Sequence, residues 1–368
     1  MRNTILLTII LLLSAATLHA EITPEVASTE TLGQPTNDWF INRSGGAAYL
    51  FDSADGNMLG LLSLTEYTPA VAVSRSRAEV YATESFYSRN HRGEREDVLT
   101  VYDVTTLSPV AEIDIPDKTL EMIGDFNIQL MGNGRYLAVY NFSPAQSVSI
   151  IDVENRHFVG EISTPGCGMI MAVNNASFLM VCGDGSVQLI RLADDGTESN
   201  RVRSKRFFSV DEDAVFDRAA RTRDGWLLVS HGGLAYDVKV DNAKISVSEP
   251  WPLVNDVERA ESWRPGGAGL VSVYRSSNLA FVLMHQGGVD THHESGSELW
   301  IFDIDKHKRV MRWVLDKPFS NILVLQGERP TLIADADDGN LQIYDALQQR
   351  LLRTIVDSGS GVSLLQEF

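Results

Sequence analysis

Few residues of this 368-residue sequence have the types and spacing that metal chemistry requires. His292 and His293 are adjacent imidazoles, but no further ligands follow at metal-binding spacing, so a solvated loop is the favoured interpretation. The segment 335–339 (Asp-Ala-Asp-Asp-Gly) is similar to a calcium loop but lacks the third alternating oxygen ligand and the distal Glu. It predicts a hairpin turn instead. We therefore expect no metal site in this chain.

Signatures of other reactive groups are also missing. The sequence contains no Cys-x-x-Cys-His motif for a covalent haem and no Gly-x-Ser-x-Gly elbow for a serine nucleophile. We interpret His231-Gly-Gly233 as a turn rather than an oxyanion loop, and Gly359-Ser-Gly361 as a flexible tail. The six tryptophans fall irregularly, unlike the once-per-blade pattern of propellers that bind pyrroloquinoline quinone. We expect no catalytic residue in this chain.

Cys167 and Cys182 are the only cysteines. In an oxidising compartment, an isolated pair most often forms one disulfide, the alternative being two buried free thiols. A bridge over this span would stabilise the fold by roughly 3 kcal/mol, because it restricts the unfolded chain.

The N-terminus has the features of a secretory signal. Arg2 precedes the apolar run 5–13, and small residues lead to a cleavage position after Ala20. We assign 1–20 to the signal peptide, 21–37 to an N-terminal extension and 38–368 to one domain, and we expect a periplasmic protein. Loss of Arg2 moves the net charge from −18 to about −19, which excludes nucleic acid and anionic membranes as partners.

The domain is organised as a repeat. A β-rich run, usually ending in Asp, is followed by a polar turn and a second β-rich run. Seven copies occur about 49 residues apart, the period of a four-stranded blade. The first runs are 49–52, 99–103, 148–152, 187–191, 235–239, 299–303 and 341–345. The pattern predicts an all-β, seven-bladed β-propeller, in which the shared Asp stabilises a turn rather than taking part in chemistry.

Several strings, taken together in their order and spacing, resemble the heavy chain of the tryptophan tryptophylquinone amine dehydrogenases. They extend from about residue 38 to the end. The strings are Arg92-Gly-Glu-Arg-Glu-Asp97, Phe142-Ser-Pro-Ala145 before Ile150-Ile-Asp-Val153, the pair Cys167 and Cys182, and Trp263-Arg-Pro-Gly-Gly267. Others are closer to the aromatic amine (aralkylamine) branch than to the methylamine branch: Cys182-Gly-Asp-Gly185, Arg203-Ser-Lys205, Phe208-Ser-Val210, Pro250-Trp251, Leu253 with Asn255-Asp256, and Leu352-Arg-Thr-Ile355.

The resemblance implies an α2β2 assembly with a small (light) subunit that carries the tryptophan tryptophylquinone cofactor. Such enzymes convert primary amines to aldehyde and ammonia, and a small blue copper protein accepts the electrons. This chain would supply the walls of the substrate channel. Tyr67 falls where the family places a phenylalanine that reaches the channel. An aromatic residue at a blade rim without substrate contact is the alternative role for Tyr67.

Two other functions remain open from the sequence. One is a non-enzymatic periplasmic propeller that binds a protein partner. The other is a self-sufficient propeller enzyme such as a lactonase, which would require convergent metal ligands that the sequence does not show.

Overall fold

The computed structural model describes residues 31–336, 338–359 and 363–368 of the chain. Residues 32–368 form one compact unit. The proposed signal peptide 1–20 and most of the extension 21–37 lie outside the described residues, so their boundaries remain a proposal. No helix in the described part is both long and apolar enough to cross a membrane.

The described residues form thirty strands and three very short helices. In chain order the strands are β1 (Trp39–Ser44), β2 (Ala47–Asp52), β3 (Met58–Ser63), β4 (Val71–Ser74), β5 (Glu79–Tyr87), β6 (Arg95–Asp103), β7 (Ser108–Ile115), β8 (Ile128–Leu130), β9 (Tyr136–Asn141), β10 (Ser147–Asp152), β11 (His157–Ser163), β12 (Cys167–Asn174), β13 (Ser177–Cys182), β14 (Val187–Leu192), β15 (Glu198–Arg203), β16 (Val215–Arg221), β17 (Trp226–Ser230), β18 (Leu234–Asp241), β19 (Lys244–Val247), β20 (Trp251–Pro252), β21 (Trp263–Pro265), β22 (Val271–Tyr274), β23 (Leu279–Gln286), β24 (Gly296–Asp303), β25 (Lys308–Phe319), β26 (Asn321–Leu325), β27 (Thr331–Asp335), β28 (Leu341–Asp345), β29 (Arg350–Ile355) and β30 (Ser363–Glu367). The helices are a 3-10 turn (Asp125–Asn127), α1 (Val210–Asp213) and α2 (Asp256–Ala260).

The strands form seven separate antiparallel sheets, so the predicted seven-bladed β-propeller is confirmed. Blades 1 to 7 have β2, β6, β10, β14, β18, β24 and β28 as their third strands, counted outward from the centre. These are the seven runs on which the repeat was recognised. Because each blade buries its faces against its neighbours, the sequence period becomes the spacing of the blades.

The recurring Asp has the structural role that the sequence predicts. At the end of β6, Asp103 Oδ1 accepts hydrogen bonds from the main-chain N–H groups of Thr105 (3.0 Å) and Thr106 (2.8 Å). Asp152 accepts in the same way from the N–H of Asn155, at 2.9 Å. The carboxylate thereby satisfies backbone donors that the tight turn leaves unpaired.

The flexible tail predicted at Gly359-Ser-Gly361 lies mostly outside the described residues, and the residues that follow it form a strand that the sequence did not predict. Residues 363–367 form β30, the innermost strand of blade 1, which pairs with β1 from Phe40↔Glu367 to Ser44↔Ser363. The ring is therefore closed by the two ends of the domain, which removes the free edge that β1 would otherwise expose. A pattern based on local alternation missed β30 because its partner is distant in sequence.

Cys167 and Cys182 form a disulfide within blade 4, as predicted. They lie opposite each other on the paired strands β12 and β13, with their Cα atoms 4.0 Å apart. Both side chains are buried in the packed interior of the blade. The bridge therefore fixes the pairing of two neighbouring strands.

The loops lie on two faces of the propeller. One face carries the connections between blades and the turns from second to third strands, and it includes Tyr67. We call it the Tyr67 face. The opposite face carries the turns from first to second and from third to fourth strands.

Candidate functional site

A buried arginine anchors the segment 64–70, which carries Tyr67. Arg43 on β1 is fully buried, and its guanidinium donates to the main-chain oxygens of Thr68, Glu66 and Gly45. Burial lowers the pKa of Arg43 to about 10, so the group stays charged near neutral pH. A charged donor in a dry site makes strong hydrogen bonds. Arg43 therefore fixes the path of the segment between β3 and β4.

A second buried group holds the start of the same segment. Glu84 on β5 accepts a hydrogen bond from the N–H of Thr65 at 3.0 Å and another from the hydroxyl of Tyr102 at 3.0 Å. The Thr65 and Thr68 hydroxyls are 3.1 Å apart. The main chain on both sides of Tyr67 is thus anchored to blades 1 and 2.

The ring of Tyr67 packs edge-to-face against Tyr87, with ring centroids 5.1 Å apart. Its hydroxyl is hydrogen-bonded to Nδ1 of His91, in the exposed turn after β5. Burial and the charges of Glu121 and Glu66 raise the pKa of Tyr67, so its hydroxyl stays protonated. Tyr67 is half-buried and presents an aromatic surface at the rim of blades 1 and 2.

A network of charged groups supports Tyr87 from the other side. The hydroxyl of Tyr87 donates to Glu121, which forms a salt bridge with Arg95 at 3.1 Å. Arg95 also binds Asp97, whose carboxylate accepts from the N–H (3.0 Å) and hydroxyl (2.7 Å) of Thr119. The hydrogen bond that Tyr87 donates to Glu121 is the main cause of the raised pKa of Tyr87. Blades 2 and 3 therefore share one polar network beneath the aromatic rim.

The Tyr67 face is more apolar and more acidic than the opposite face. Its loops and strand ends expose large apolar side chains: Phe86, Met122, Phe142, Val210, Val257, Val289 and Val356. At the loops and strand ends of the opposite face, the exposed large apolar side chains among the described residues are Met58, Leu347 and Leu351. The described loops of the Tyr67 face contain seventeen acidic and six basic residues, against seven and eight on the opposite face. Exposed apolar groups on one face of a soluble protein indicate a surface for a partner.

The histidines are arranged differently from the sequence expectation of a solvated loop. His292 stacks on His231 of the neighbouring blade, with ring centroids 4.1 Å apart, and Phe216 packs against both rings. Burial, with smaller contributions from neighbouring histidines, lowers the pKa of both His231 and His292. In the described residues, no three His, Cys, Asp or Glu side chains converge as a metal site requires. The stacked pair of His231 and His292 connects blades 5 and 6. These two residues are far apart in sequence, so the sequence does not reveal the contact.

The innermost strands surround a central cavity of about 350 Å³. Asp125 lies in its wall, and its Oδ1 has no hydrogen-bond partner among the described residues. Burial raises the pKa of Asp125 to about 6, although the nearby positive charge of Arg218 opposes the shift. The sequence contains no signal for this carboxyl group, because only the closed ring buries it.

We expect Asp125→Asn to stabilise the protein at neutral pH. The folded-state pKa of about 6 exceeds the unfolded value near 3.9, so folding retains a proton between these pH values. The contribution of Asp125 to stability is therefore complete below about pH 4 and lost as pH rises through about 6. Denaturant unfolding at acid pH and at neutral pH measures the free energy of unfolding of both proteins. Asp125→Asn should raise this free energy by about 1–3 kcal/mol at neutral pH only. An equal difference at acid and neutral pH would contradict this assignment.

Comparison with solved structures supports the fold. A functionally unknown protein from Desulfotomaculum acetoxidans superposes with a TM-score of 0.61 and 12% identity, covering 90% of this chain and 99% of that one. Hydrazine synthase from Kuenenia stuttgartiensis gives a TM-score of 0.55 and 13% identity, covering 82% of this chain and 90% of that one. At these identities the likeness concerns the fold alone.

Sequence comparison is more specific. Methylamine dehydrogenase heavy chains are 25% identical in Methylophilus methylotrophus (86% of this chain, 78% of that one) and 28% identical in Methylobacillus flagellatus (78% and 72%). The heavy chain of Paracoccus versutus is 26% identical, over 86% of this chain and 75% of that one. The family defined by the methylamine dehydrogenase heavy chain matches residues 39–366, which include all seven blades. This chain therefore belongs to the methylamine dehydrogenase heavy chain family.

Proposed function

We propose that this chain is the large subunit of a periplasmic quinone-dependent amine dehydrogenase that converts primary amines to aldehyde and ammonia. The family match over residues 39–366 carries the proposal. The complete enzyme would be an α2β2 heterotetramer. Its small subunit would carry tryptophan tryptophylquinone, the electrophile and electron acceptor of the reaction, and a small blue copper protein would receive the electrons. The large subunit orients the small one and encloses the path of the amine.

Within this proposal, Tyr67 forms part of the channel wall. The rim of Tyr67, Tyr87 and His91 is preorganised, because Arg43 fixes the Tyr67 segment and Glu121 supports Tyr87. An aromatic group on a rigid scaffold contributes shape and apolar area to a ligand path. The carboxylates of Glu66 and Glu121 also favour the approach of a protonated amine.

The Tyr67 face would be the surface that binds the small subunit. It concentrates exposed apolar groups, such as Met122 (70% exposed) and Phe142 (56% exposed), together with the acidic excess of the loops. The opposite face lacks this combination among the described residues. Burial of such apolar groups stabilises subunit association.

Co-expression with a candidate small subunit tests this surface. The double variant Met122→Glu with Phe142→Glu should reduce small-subunit recovery on the tagged large subunit at least tenfold, because two charges enter an apolar interface. Met58→Glu with Leu347→Glu is the matched control, since both side chains are exposed outside the Tyr67 face. Native mass spectrometry should show the heterotetramer for the control. Full assembly of the Tyr67-face variant would exclude this face as the binding surface for the small subunit. If no quinone-bearing subunit associates with the wild-type chain, the non-enzymatic function is favoured.

We expect Tyr67→Ala to raise the apparent KM for a bulky primary amine while the complex stays assembled. Loss of one apolar wall contact reduces kcat/KM by about 1–3 kcal/mol, or roughly 5- to 150-fold. Tyr67→Phe retains the ring but not the hydrogen bond to His91, so it should retain most of the selectivity. Steady-state kinetics with methylamine and phenylethylamine measures both effects. Unchanged selectivity between these amines in Tyr67→Ala would show that Tyr67 does not contact the substrate and has a structural role only.

The same kinetics tests the substrate branch. We propose an aromatic amine as the substrate, because Cys182-Gly-Asp-Gly185 and the other strings given with it resemble the aromatic amine branch. The wild-type complex should then show a higher kcat/KM for phenylethylamine than for methylamine. The reverse order would assign the enzyme to the methylamine branch and leave the subunit assignment intact.

A further inference from the structure

The mouth of the central cavity on the opposite face is lined by arginines in a chain that is otherwise strongly acidic. Arg75, Arg221 and Arg275 lie at the ends of the innermost strands of blades 2, 5 and 6. Each is followed by a hydroxyl residue, in Arg75-Ser76, Arg221-Thr222 and Arg275-Ser276. Local blade geometry does not require a cation here, because blades 3, 4 and 7 have uncharged residues at the ends of their innermost strands.

Among the described residues, Glu367 is the only side-chain carboxylate that pairs directly with these three guanidiniums. Glu367 on β30 receives two hydrogen bonds from Arg275, at 2.7 and 2.8 Å. Arg75 donates to the main-chain oxygen of Phe368 and to the side-chain oxygen of Asn37. The Arg221 guanidinium has no hydrogen bond or ion pair with any described residue, and the side chain is partly exposed at the mouth. The mouth therefore has excess positive charge and one free guanidinium.

The positive charges also act on one another. Burial lowers the pKa of Arg75 and Arg221, and the charge of Arg275 lowers both further, against the influence of Glu367. All three groups remain protonated at neutral pH. Their mutual repulsion is relieved when an anion binds between them, which favours a ligand of negative charge.

The shape of the site restricts the ligand further. The cavity behind the mouth holds about 350 Å³, and its wall combines apolar side chains, including Val71, Val273 and Leu364, with polar ones, including Asp125 and Gln129. Two further depressions flank the mouth, and both are lined by Arg275 and Glu367. A guanidinium binds a carboxylate or phosphate through paired hydrogen bonds, and an apolar wall stabilises a hydrocarbon group.

We propose that the arginine mouth formed by Arg75, Arg221 and Arg275 binds a small organic anion, with its oxyanion group on the guanidiniums and its apolar body in the central cavity. This site is independent of the Tyr67 face and of the amine reaction. The arginine mouth faces away from the surface proposed for the small subunit. In the free protein Glu367 pairs with Arg275, so Glu367 competes with the ligand for this guanidinium.

Isothermal titration calorimetry on the full exported chain tests the site with hexanoate, acetate, inorganic phosphate and hexylamine. Hexanoate should bind saturably and more tightly than acetate, while hexylamine should not bind at this mouth. Phosphate binding tighter than hexanoate would overturn the role of the apolar cavity. Arg221→Gln should weaken hexanoate binding roughly 10- to 100-fold, because a hydrogen bond to a charged group is lost.

Two further variants make the test specific. Glu367→Gln should tighten hexanoate binding several-fold, because it removes the competing carboxylate and retains the shape of β30. Arg329→Gln removes an exposed arginine of the same face that does not line the cavity, and it should leave binding unchanged. Thermal unfolding confirms that each variant is folded. Absence of saturable hexanoate binding, or equal weakening by Arg221→Gln and Arg329→Gln, would overturn the proposal.

Discussion

Arg43→Met is expected to lower the free energy of unfolding by about 2–4 kcal/mol and to loosen the segment that carries Tyr67. The variant leaves the buried main-chain oxygen of Thr68 without its donor, and the main-chain oxygens of Glu66 and Gly45, which belong to exposed residues, lose a protein partner. Each buried acceptor without a partner costs about 1–3 kcal/mol, and the unbranched methionine partly fills the space. Removal of the buried positive charge offsets part of this loss, because burial disfavours the charged form.

Urea unfolding of the wild type and variant measures the change, with the disulfide intact in both. Arg77→Met is the matched control: its guanidinium is partly exposed and pairs with Glu154 at 3.6 Å. An exposed pair of this kind contributes at most about 1 kcal/mol. Amide hydrogen exchange should become faster in residues 64–70 of Arg43→Met and stay unchanged in the control. Equal stability of the two variants would contradict the role of Arg43.

The sequence predicted the blades because a propeller repeats a local pattern. Every blade needs a third strand that turns sharply into the fourth, and the turn selects residues such as Asp103 and Asp152. The pairing of Cys167 with Cys182 was predictable for a simpler reason, since no other cysteine competes. These features depend on residues close together in sequence or on composition alone.

The parts that the sequence did not predict depend on ring closure and on contacts between blades. β30 is recognisable only through its pairing with β1, more than three hundred residues earlier. Likewise, His231 and His292 come together because blades 5 and 6 are neighbours, and Asp125 is buried only in the closed ring. Tyr67 was singled out through resemblance, but the sequence contained no signal for its support by Arg43.

Complete dependence of activity on a second subunit is the largest effect that we expect. The described residues of this chain contain no converging metal ligands, and the proposed reaction needs an electrophile and electron acceptor that the small subunit would carry. The large subunit would contribute orientation, a channel wall and exclusion of water, which assist a reaction but do not replace its reactive group. Activity should therefore appear only upon assembly.

Amine-dependent dye reduction by the purified chain, with and without the co-expressed small subunit, tests the subunit assignment most directly. The isolated chain should show no quinone absorbance and no reduction of dye above background with methylamine or phenylethylamine. The co-purified complex should show both the absorbance and amine-dependent turnover. Amine oxidation by the isolated chain, or an assembled complex with intact quinone and no turnover of any primary amine, would contradict the assignment.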